Sequence, residues 1–174
     1  MSKPPAAPYS PDVDDDAPGE IEFGDLVDLI VRDADWAGRK GLGLTARRVE
    51  LVRCRLTGTE LGESVLGDII FDECRADLVG LRHAKLERVV FRDCRMGESD
   101  FSGASLKDVI FERCELRGAM FSSARLERVE LRGCDLAGIQ GGEALRGARM
   151  PFGDVLENAV LFASLAGIEI LADA

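Results

Sequence analysis

The residues best suited to metal or redox chemistry are five cysteines, which recur at intervals of twenty: Cys54, Cys74, Cys94, Cys114 and Cys134. Metal sites usually need thiols in close pairs, such as C-x2-C, or thiols together with histidines. No two of these cysteines are close in sequence, and the chain has a single histidine, His83. We therefore expect the cysteines to pack as small apolar side chains. The sequence predicts neither a metal site nor a cofactor.

Other residue combinations that support catalysis are also missing from the sequence. His83 is predicted to face solvent, so no His-based triad can be assembled around it. The glycine-rich stretches GLGL (41–44) and GIQGG (138–142) lack the lysine and the strand–loop–helix setting of a phosphate-binding loop. We therefore predict that the protein is not an enzyme and has no catalytic residues.

The cysteines belong to a shorter repeat that organises the chain. Leucine or phenylalanine recurs at every fifth residue from Leu51 to Leu136, with only Ala76 and Met96 as exceptions. On an α-helix, a period of five would rotate successive leucines by about 140°. On one continuous strand it would point them alternately to opposite faces. All of them can point inward only if the chain turns once in each pentapeptide.

A period of twenty is nested within the period of five. Phe71, Phe91 and Phe111 share the spacing of the cysteines, so twenty residues are predicted to make one coil with four sides. Successive coils should lie about 4.8 Å apart, the distance between hydrogen-bonded strands. A single coil of this kind cannot bury its apolar face alone, so we expect several coils to stack, with like residues on like.

These pentapeptides resemble the A-(D/N)-L-x-x motif of the pentapeptide-repeat family. The motif is present as ASLKD (104–108), CELRG (114–118), ARLER (124–128) and CDLAG (134–138). The resemblance implies an all-β fold, a right-handed four-sided parallel β-helix. It also implies a distant similarity to the quinolone-resistance members of the family, which imitate DNA and bind DNA gyrase. The motif is specific for the fold and says little about function.

Two segments are expected before the regular repeat. Residues 1–20 are rich in proline and aspartate and are predicted to form a disordered acidic tail. Residues 21–48 are predicted to form an N-terminal cap and an irregular first coil, with a loop at 37–43. A cap is expected because an open end of a solenoid exposes unpaired backbone groups.

The regular β-helix is predicted for residues 49–138, followed by an irregular last coil at 139–150. Residues 151–174 are predicted to form a C-terminal helix and a short strand, because apolar residues recur there at helical spacing and Gly167 is a natural stop. This helix could cap the rod or form a homodimer contact, and both roles stay open. The residues proposed for that contact are Leu161, Phe162 and Leu165.

The expected location is the cytoplasm. The N-terminus lacks the basic-then-apolar layout of a signal peptide, and no apolar run reaches the length of a membrane span. Five thiols without close pairs also suggest a reducing compartment.

The surface is predicted to carry columns of alternating charge along the rod, such as Asp68, Arg88, Asp108 and Arg128. Opposite charges on neighbouring coils would then pair at about 5 Å. The net charge of −10 is concentrated in residues 1–35, which hold ten acids and two bases, whereas residues 49–138 hold seventeen acids and fourteen bases. DNA carries one negative charge per ~1.7 Å of its axis. Such a balanced rod is a poor imitation of DNA, and gyrase binding is the alternative function only.

Two surface columns are candidate interaction sites. The first is an apolar column predicted to face outward, and the second is a column of like charge that could receive an acidic partner. They consist of Ile70, Val90 and Ile110, and of Arg55, Arg75 and Arg95. We predict that Glu73 and Asp93 neutralise part of the arginine column. The sequence therefore favours a protein-interaction module whose partner is a protein of unknown identity, with no direct contact to nucleic acid or membrane.

Overall fold

The computed structural model describes residues 3–12 and 26–171, and its central feature is one parallel sheet of six strands. Residues on the straight parts of each strand pair with residues twenty positions away in the neighbouring strand, as Phe71 pairs with Phe91. The strands are β1 (Leu26–Arg32), β2 (Thr45–Val52), β3 (Val65–Asp72), β4 (Lys85–Arg92), β5 (Ser105–Glu112) and β6 (Arg125–Arg132). The predicted period of twenty is therefore confirmed as the register of the sheet.

Every coil has four sides, as the sequence predicts. Each strand bends once and supplies sides 1 and 2, and single β-bridges such as Arg55 with Arg75 and Glu60 with Gly80 supply sides 3 and 4. In the coil of residues 64–83, sides 1 to 4 are 64–67, 69–72, 74–77 and 79–82, with corners at 68, 73, 78 and 83. The four-sided parallel β-helix is thus confirmed.

The corners share one backbone conformation. At every fifth residue from Asp28 to Gly138, φ lies between 51° and 74°, in the left-handed region. The N–H groups of corner residues inside the stack join the ladder between coils, as Glu73 N–H does by donating to the carbonyl of Arg92 at 2.9 Å. At the C-terminal end of the rod, Gly133 N–H donates instead to the carboxylate of Asp154. On sides 3 and 4 the corner is also closed locally, for example by Thr59 N–H donating to the carbonyl of Leu56. These are β-turns with a left-handed third residue.

The interior is filled by the residues of the five-residue repeat. Phe71, Phe91 and Phe111 stack with ring centroids 4.7 and 5.0 Å apart, and Phe101 stacks on Phe121 at 5.0 Å. The two stacks meet edge to face, with interplanar angles of 84° to 90°. Offset and edge-to-face arrangements are the favourable ones for aromatic rings, so the rings contribute both apolar burial and specific contacts.

The first coil is more regular than the sequence suggests. The β-helical register begins at Leu26, and Trp36 is buried. The predicted loop at 37–43 is wrong, since Lys40 forms a bridge with Glu60 and Gly38 and Gly43 take the corner conformation. Of the segment predicted as a cap, residues 26–31 belong to β1, and residues 21–25 lie outside the described residues.

The N-terminal segment also differs from its prediction. Residues 3–12 were expected to be disordered, but they lie extended along the rod at the corner between sides 1 and 2. Ala6 N–H donates to Asp108 Oδ1 at 2.9 Å, and Tyr9 N–H donates to Asp68 Oδ1 at 3.2 Å. The physical reason is that backbone donors of the segment reach carboxylates of the corners. The rest of the predicted tail, residues 1–2 and 13–20, lies outside the described residues.

The C-terminal end follows the predicted order with two differences. A 3-10 helix (Gly142–Leu145) interrupts the last coil, and Arg149 then bridges to Glu130. The predicted single helix is divided at Asn158 into α1 (Phe152–Glu157) and α2 (Ala159–Leu165). The predicted strand at 168–171 does not form in these described residues.

Gly58 and Gly141 provide a matched test of the corner geometry. Both have φ of 66°, but a Cβ on Gly58 would meet nothing within 4 Å, whereas one on Gly141 would come 2.8 Å from the carbonyl carbon of Phe121 and closer still to Ser122. We expect Gly58→Ala to destabilise by about 1 kcal/mol, the left-handed penalty alone. Gly141→Ala should cost several times more, because backbone atoms must move. Denaturant unfolding of both variants measures the difference, and equal losses would contradict this account.

Candidate interaction surfaces

The five cysteines form a ladder in the wall of the rod, one in each successive coil, and not a reactive site. The ladder consists of Cys54, Cys74, Cys94, Cys114 and Cys134. All five thiols are free and buried. Each Sγ lies 3.3–3.5 Å from a carbonyl oxygen of the preceding coil, as Cys74 does from Leu51. Hydrogen bonds with Cys114 and Cys74, together with burial, raise the pKa of the Cys94 thiol. Within the described residues, no group of three or more His, Cys, Asp or Glu side chains is arranged to hold a metal ion.

The predicted columns of alternating charge are confirmed as ion pairs. At the corner between sides 1 and 2, Arg88 makes a bidentate contact with Asp68, at 2.6 and 2.9 Å. Arg128 does the same with Asp108, at 2.6 and 2.7 Å. Both aspartates are almost fully buried. The predicted neighbouring columns pair more loosely, for example Lys107 with Glu87 at 3.3 Å.

The apolar column differs from its prediction in exposure. Ile70, Val90 and Ile110 do follow one another across the coils of side 2. Ile70 and Ile110 are half-buried, but Val90 is buried, so the expectation of three exposed side chains is wrong. Val90 lies between two branched neighbours at strand spacing, and these shield it from solvent. Its proposed role as an interaction site stays a prediction.

The arginine column is exposed on side 3, as expected, but other acids accompany it. Arg55 pairs with Asp35 at 3.2 Å, and Arg95 lies 3.9 Å from Asp77 and 3.6 Å from Glu115. The predicted partner Asp93 instead pairs with Arg113 at 2.7 Å, because Arg113 lies one coil later at the same corner. Two of the three arginines in this column, Arg55 and Arg95, therefore lie beside carboxylates.

A groove on side 4 was not anticipated from the sequence. It encloses about 670 Å³ and is lined by Leu42, Gly62, Leu78, Gly80, Glu98, Asp100 and Met120, among others. Gly80 lies between Glu60 and Asp100 in the outward column, so the missing side chain leaves a depression there. The only signal in the sequence is glycine at two outward positions where the neighbouring coils carry side chains.

The groove combines exposed apolar side chains with acidic ones. Leu42 is 67% exposed and Leu78 is 55% exposed, the highest values for leucine in residues 26–141. Asp100 is nearly buried and accepts hydrogen bonds from the Ser102 N–H and from Arg82. Burial opposes its ionisation, but these hydrogen bonds prevail and lower its pKa. The groove therefore combines two exposed leucines with a buried carboxylate that Arg82 holds in an ion pair.

The C-terminal helices cover one end of the rod. Leu161 and Phe162 are half-buried, and Leu161 packs against the core. The side chain of Leu165 lies against Gly142, where an added Cβ would meet it at 2.8 Å. These contacts support a cap, and the dimer contact proposed for the same residues stays a prediction. None of the helices in the described part of the chain has the length and apolar character needed to cross a membrane.

Comparison with known proteins identifies the repeat. Residues 45–121 match the family model described as a pentapeptide repeat region. No curated protein matches the chain. Among solved structures, HetL from the cyanobacterium Nostoc sp., involved in heterocyst differentiation regulation, is 23% identical with a TM-score of 0.49, and the match covers 76% of this chain and 68% of HetL.

Two further solved structures are more distant. Trypsin-treated QnrB1, a plasmid-mediated fluoroquinolone resistance protein, is 17% identical with a TM-score of 0.45, over 87% of this chain and 96% of QnrB1. A pentapeptide repeat protein from the thylakoid lumen of Arabidopsis thaliana is 15% identical with a TM-score of 0.31, over 74% of this chain and 75% of that protein.

Arg88, at the corner between sides 1 and 2, and Arg113, at the corner between sides 2 and 3, test how much burial strengthens an ion pair. The side chains of Arg88 and Asp68 are 26% and 10% exposed, and those of Arg113 and Asp93 are 54% and 39% exposed. We expect Arg88→Met to destabilise by about 2–4 kcal/mol, because it leaves a buried carboxylate unpaired. Arg113→Met should cost less than about 1 kcal/mol. Urea unfolding of both variants measures this, and a larger loss for Arg113→Met would refute the ranking.

The cysteine ladder makes a prediction about reactivity. Because the thiols are buried and hydrogen-bonded, we expect Ellman's reagent to modify them only when the β-helix opens. The native protein should react slowly and the guanidinium-unfolded protein should release five equivalents at once. Rapid labelling of one native thiol would instead indicate a reactive site.

Proposed function

Residues 45–121 match a pentapeptide repeat region, and from that premise we propose that the protein is a non-enzymatic protein-interaction module which binds its partner through the groove on side 4. The observation that supports this surface is the position of Leu42 and Leu78, the two most exposed leucines of residues 26–141. Large exposed apolar side chains that cluster on a soluble surface commonly mark a contact site.

The backbone at Leu78 strengthens the proposal. Leu78 takes the corner conformation with φ of 60°, where glycine is the usual residue of such a turn. Leucine there costs about 1 kcal/mol relative to an unstrained position and gains little burial in exchange. The other corners that lack glycine carry polar or charged residues, so Leu78 is the one apolar side chain exposed at a corner from Asp28 to Gly138.

The chemistry of the groove indicates the kind of partner. Glu60, Glu63 and Glu98 line the groove, and Asp100 and Arg82, which also line it, form an ion pair with each other. The three glutamates therefore give the groove its negative charge. A partner segment with one or two apolar side chains and adjacent lysines or arginines would complement it. Opposite charge would speed association, and burial of Leu42 and Leu78 on binding would contribute to the affinity.

The alternative function, imitation of DNA toward DNA gyrase, has less support from the surface. A DNA mimic needs an excess of unpaired negative charge. On this rod the aspartates of the corner between sides 1 and 2 are paired with arginines, as Asp68 is with Arg88 and Asp108 with Arg128. We therefore expect micromolar protein to leave gyrase supercoiling unchanged.

Leu78→Asn tests the proposed groove, because asparagine tolerates the left-handed backbone and removes the apolar contact. Val65→Thr is a matched control, since Val65 is 37% exposed on side 1 and threonine keeps its branched shape. Captures from extracts of the native host would be compared by quantitative mass spectrometry. We expect a partner that wild type and Val65→Thr retain and that Leu78→Asn loses by roughly tenfold or more, with unchanged thermal melts.

Two results would count against this function. One is a partner retained equally by all three proteins, which would place the contact elsewhere. The other is inhibition of gyrase supercoiling by wild type, which would favour the alternative.

A further inference from the structure

We propose that the corner between sides 1 and 2 is a binding site for extended proline-rich peptides, and that residues 3–12 occupy it as an intramolecular ligand. This site lies away from the groove on side 4 and does not depend on the function proposed for that groove. Its occupant is defined chemically: a polyproline II segment with proline at every third residue and a free N–H after each proline.

Three of the four prolines in residues 3–12 have a period of three. Pro5, Pro8 and Pro11 are the partly buried residues of the segment 3–12, and the residues between them are exposed. A polyproline II helix has three residues per turn, so every third side chain lies on the same face. A β-strand would point alternate prolines away from the rod. The burial pattern is therefore the one expected of polyproline II with Pro5, Pro8 and Pro11 facing the rod.

The residue after each of these three prolines donates a backbone hydrogen bond to the rod. The backbone N–H groups are those of Ala6, Tyr9 and Asp12, and the acceptors are Oδ1 of Asp108, Asp68 and Asp28, at 2.9, 3.2 and 3.5 Å. The acceptors are forty residues apart in sequence, which is two coils, and the segment runs opposite to the direction in which the coils advance. Three equivalent contacts at a fixed interval make a repeating site.

The two repeats match in length. Three residues of polyproline II advance about 9.3 Å, and two coils at strand spacing advance about 9.4–9.8 Å. The difference is at most about half an ångström per repeat, so successive N–H groups stay opposite successive aspartates. The spacing of the aspartates along this corner therefore matches the rise of a polyproline II peptide.

Arginines at the same corner, in the coils between the acceptors, orient the acceptor carboxylates. Each acceptor is held by the arginine of the next coil, as Asp68 is by Arg88 and Asp108 by Arg128. Hydrogen bonding to Arg128 and, in smaller part, to Ala6 N–H lowers the pKa of Asp108 to about 2 against the effect of burial, so it is ionised when it accepts. Bonds to an ionised acceptor are stronger than neutral ones. The guanidinium of Arg88 also lies 5.8 Å from the centroid of the Tyr9 ring.

Residues 3–12 would therefore also regulate access to the site. A proline-rich segment of a partner protein, with the same spacing, would compete with residues 3–12 for the same three carboxylates. Because the internal ligand is covalently attached, it has a high effective concentration, and it keeps the site closed to weak or poorly matched peptides.

The test uses the full chain with the internal ligand released. In the variant Ala6→Pro/Tyr9→Pro two donors are removed and the polyproline conformation is kept. The control is Ala7→Pro/Ser10→Pro, which adds two prolines at positions that donate no such bond. The probe is a fluorescein-labelled peptide with the sequence KPPAAPYSPD, measured by fluorescence anisotropy. We expect it to bind the donor-deleted variant at least roughly tenfold more tightly than wild type or the control.

Two further measurements make the result decisive. A labelled peptide that carries the same two proline substitutions should fail to bind the donor-deleted variant, and amide exchange in wild type should be slowed at Ala6 and Tyr9. No binding of the wild-type peptide, equal binding of both peptides, or exchange of both amides at the unprotected rate would each overturn the proposal.

Discussion

The structure depends on a left-handed backbone at every fifth residue. Each such corner is unfavourable for a residue other than glycine, by about 1 kcal/mol, and most of the corners from Asp28 to Gly138 are not glycine. The corner N–H groups find their acceptors in the next coil, as Glu73 does in Arg92, so one coil alone could not hold its own bends. Stability is consequently a property of the stack, and coverage of its two ends matters more than in a fold with local contacts.

Much of the architecture could be predicted from the sequence, because few chain arrangements bury all of the repeated apolar side chains. Leucine and phenylalanine at every fifth residue, and Phe71, Phe91 and Phe111 at every twentieth, leave one arrangement that buries them all. The first coil was harder to recognise, since its inward centres are Leu26, Val31, Trp36 and Gly41, and the uniform leucine signal is absent there. The corner conformation could not be inferred at charged residues such as Arg48, because sequence propensity assigns it to glycine and asparagine.

The surfaces were less predictable because they depend on relations between distant residues. The groove lies where Gly80 has no side chain, whereas Glu60 and Asp100 in the neighbouring coils have one. A missing side chain produces no repeating pattern in the sequence. Proline and aspartate in residues 1–20 indicate disorder by composition, and only the positions of Asp28, Asp68 and Asp108 show why prolines three apart should bind. Val90 is shielded by its neighbours, an effect that an outward position in a repeat does not reveal.

Asp and Arg alternate along one corner, so that corner repeats only after forty residues although the core repeats after twenty. Duplication of a single coil within a gene would preserve every inward leucine and cysteine, yet it would set two aspartates or two arginines side by side. Duplication of a pair of coils would preserve both patterns. Rods of this design should therefore grow in steps of two coils, and the count of coils in an ancestral lineage should keep its parity.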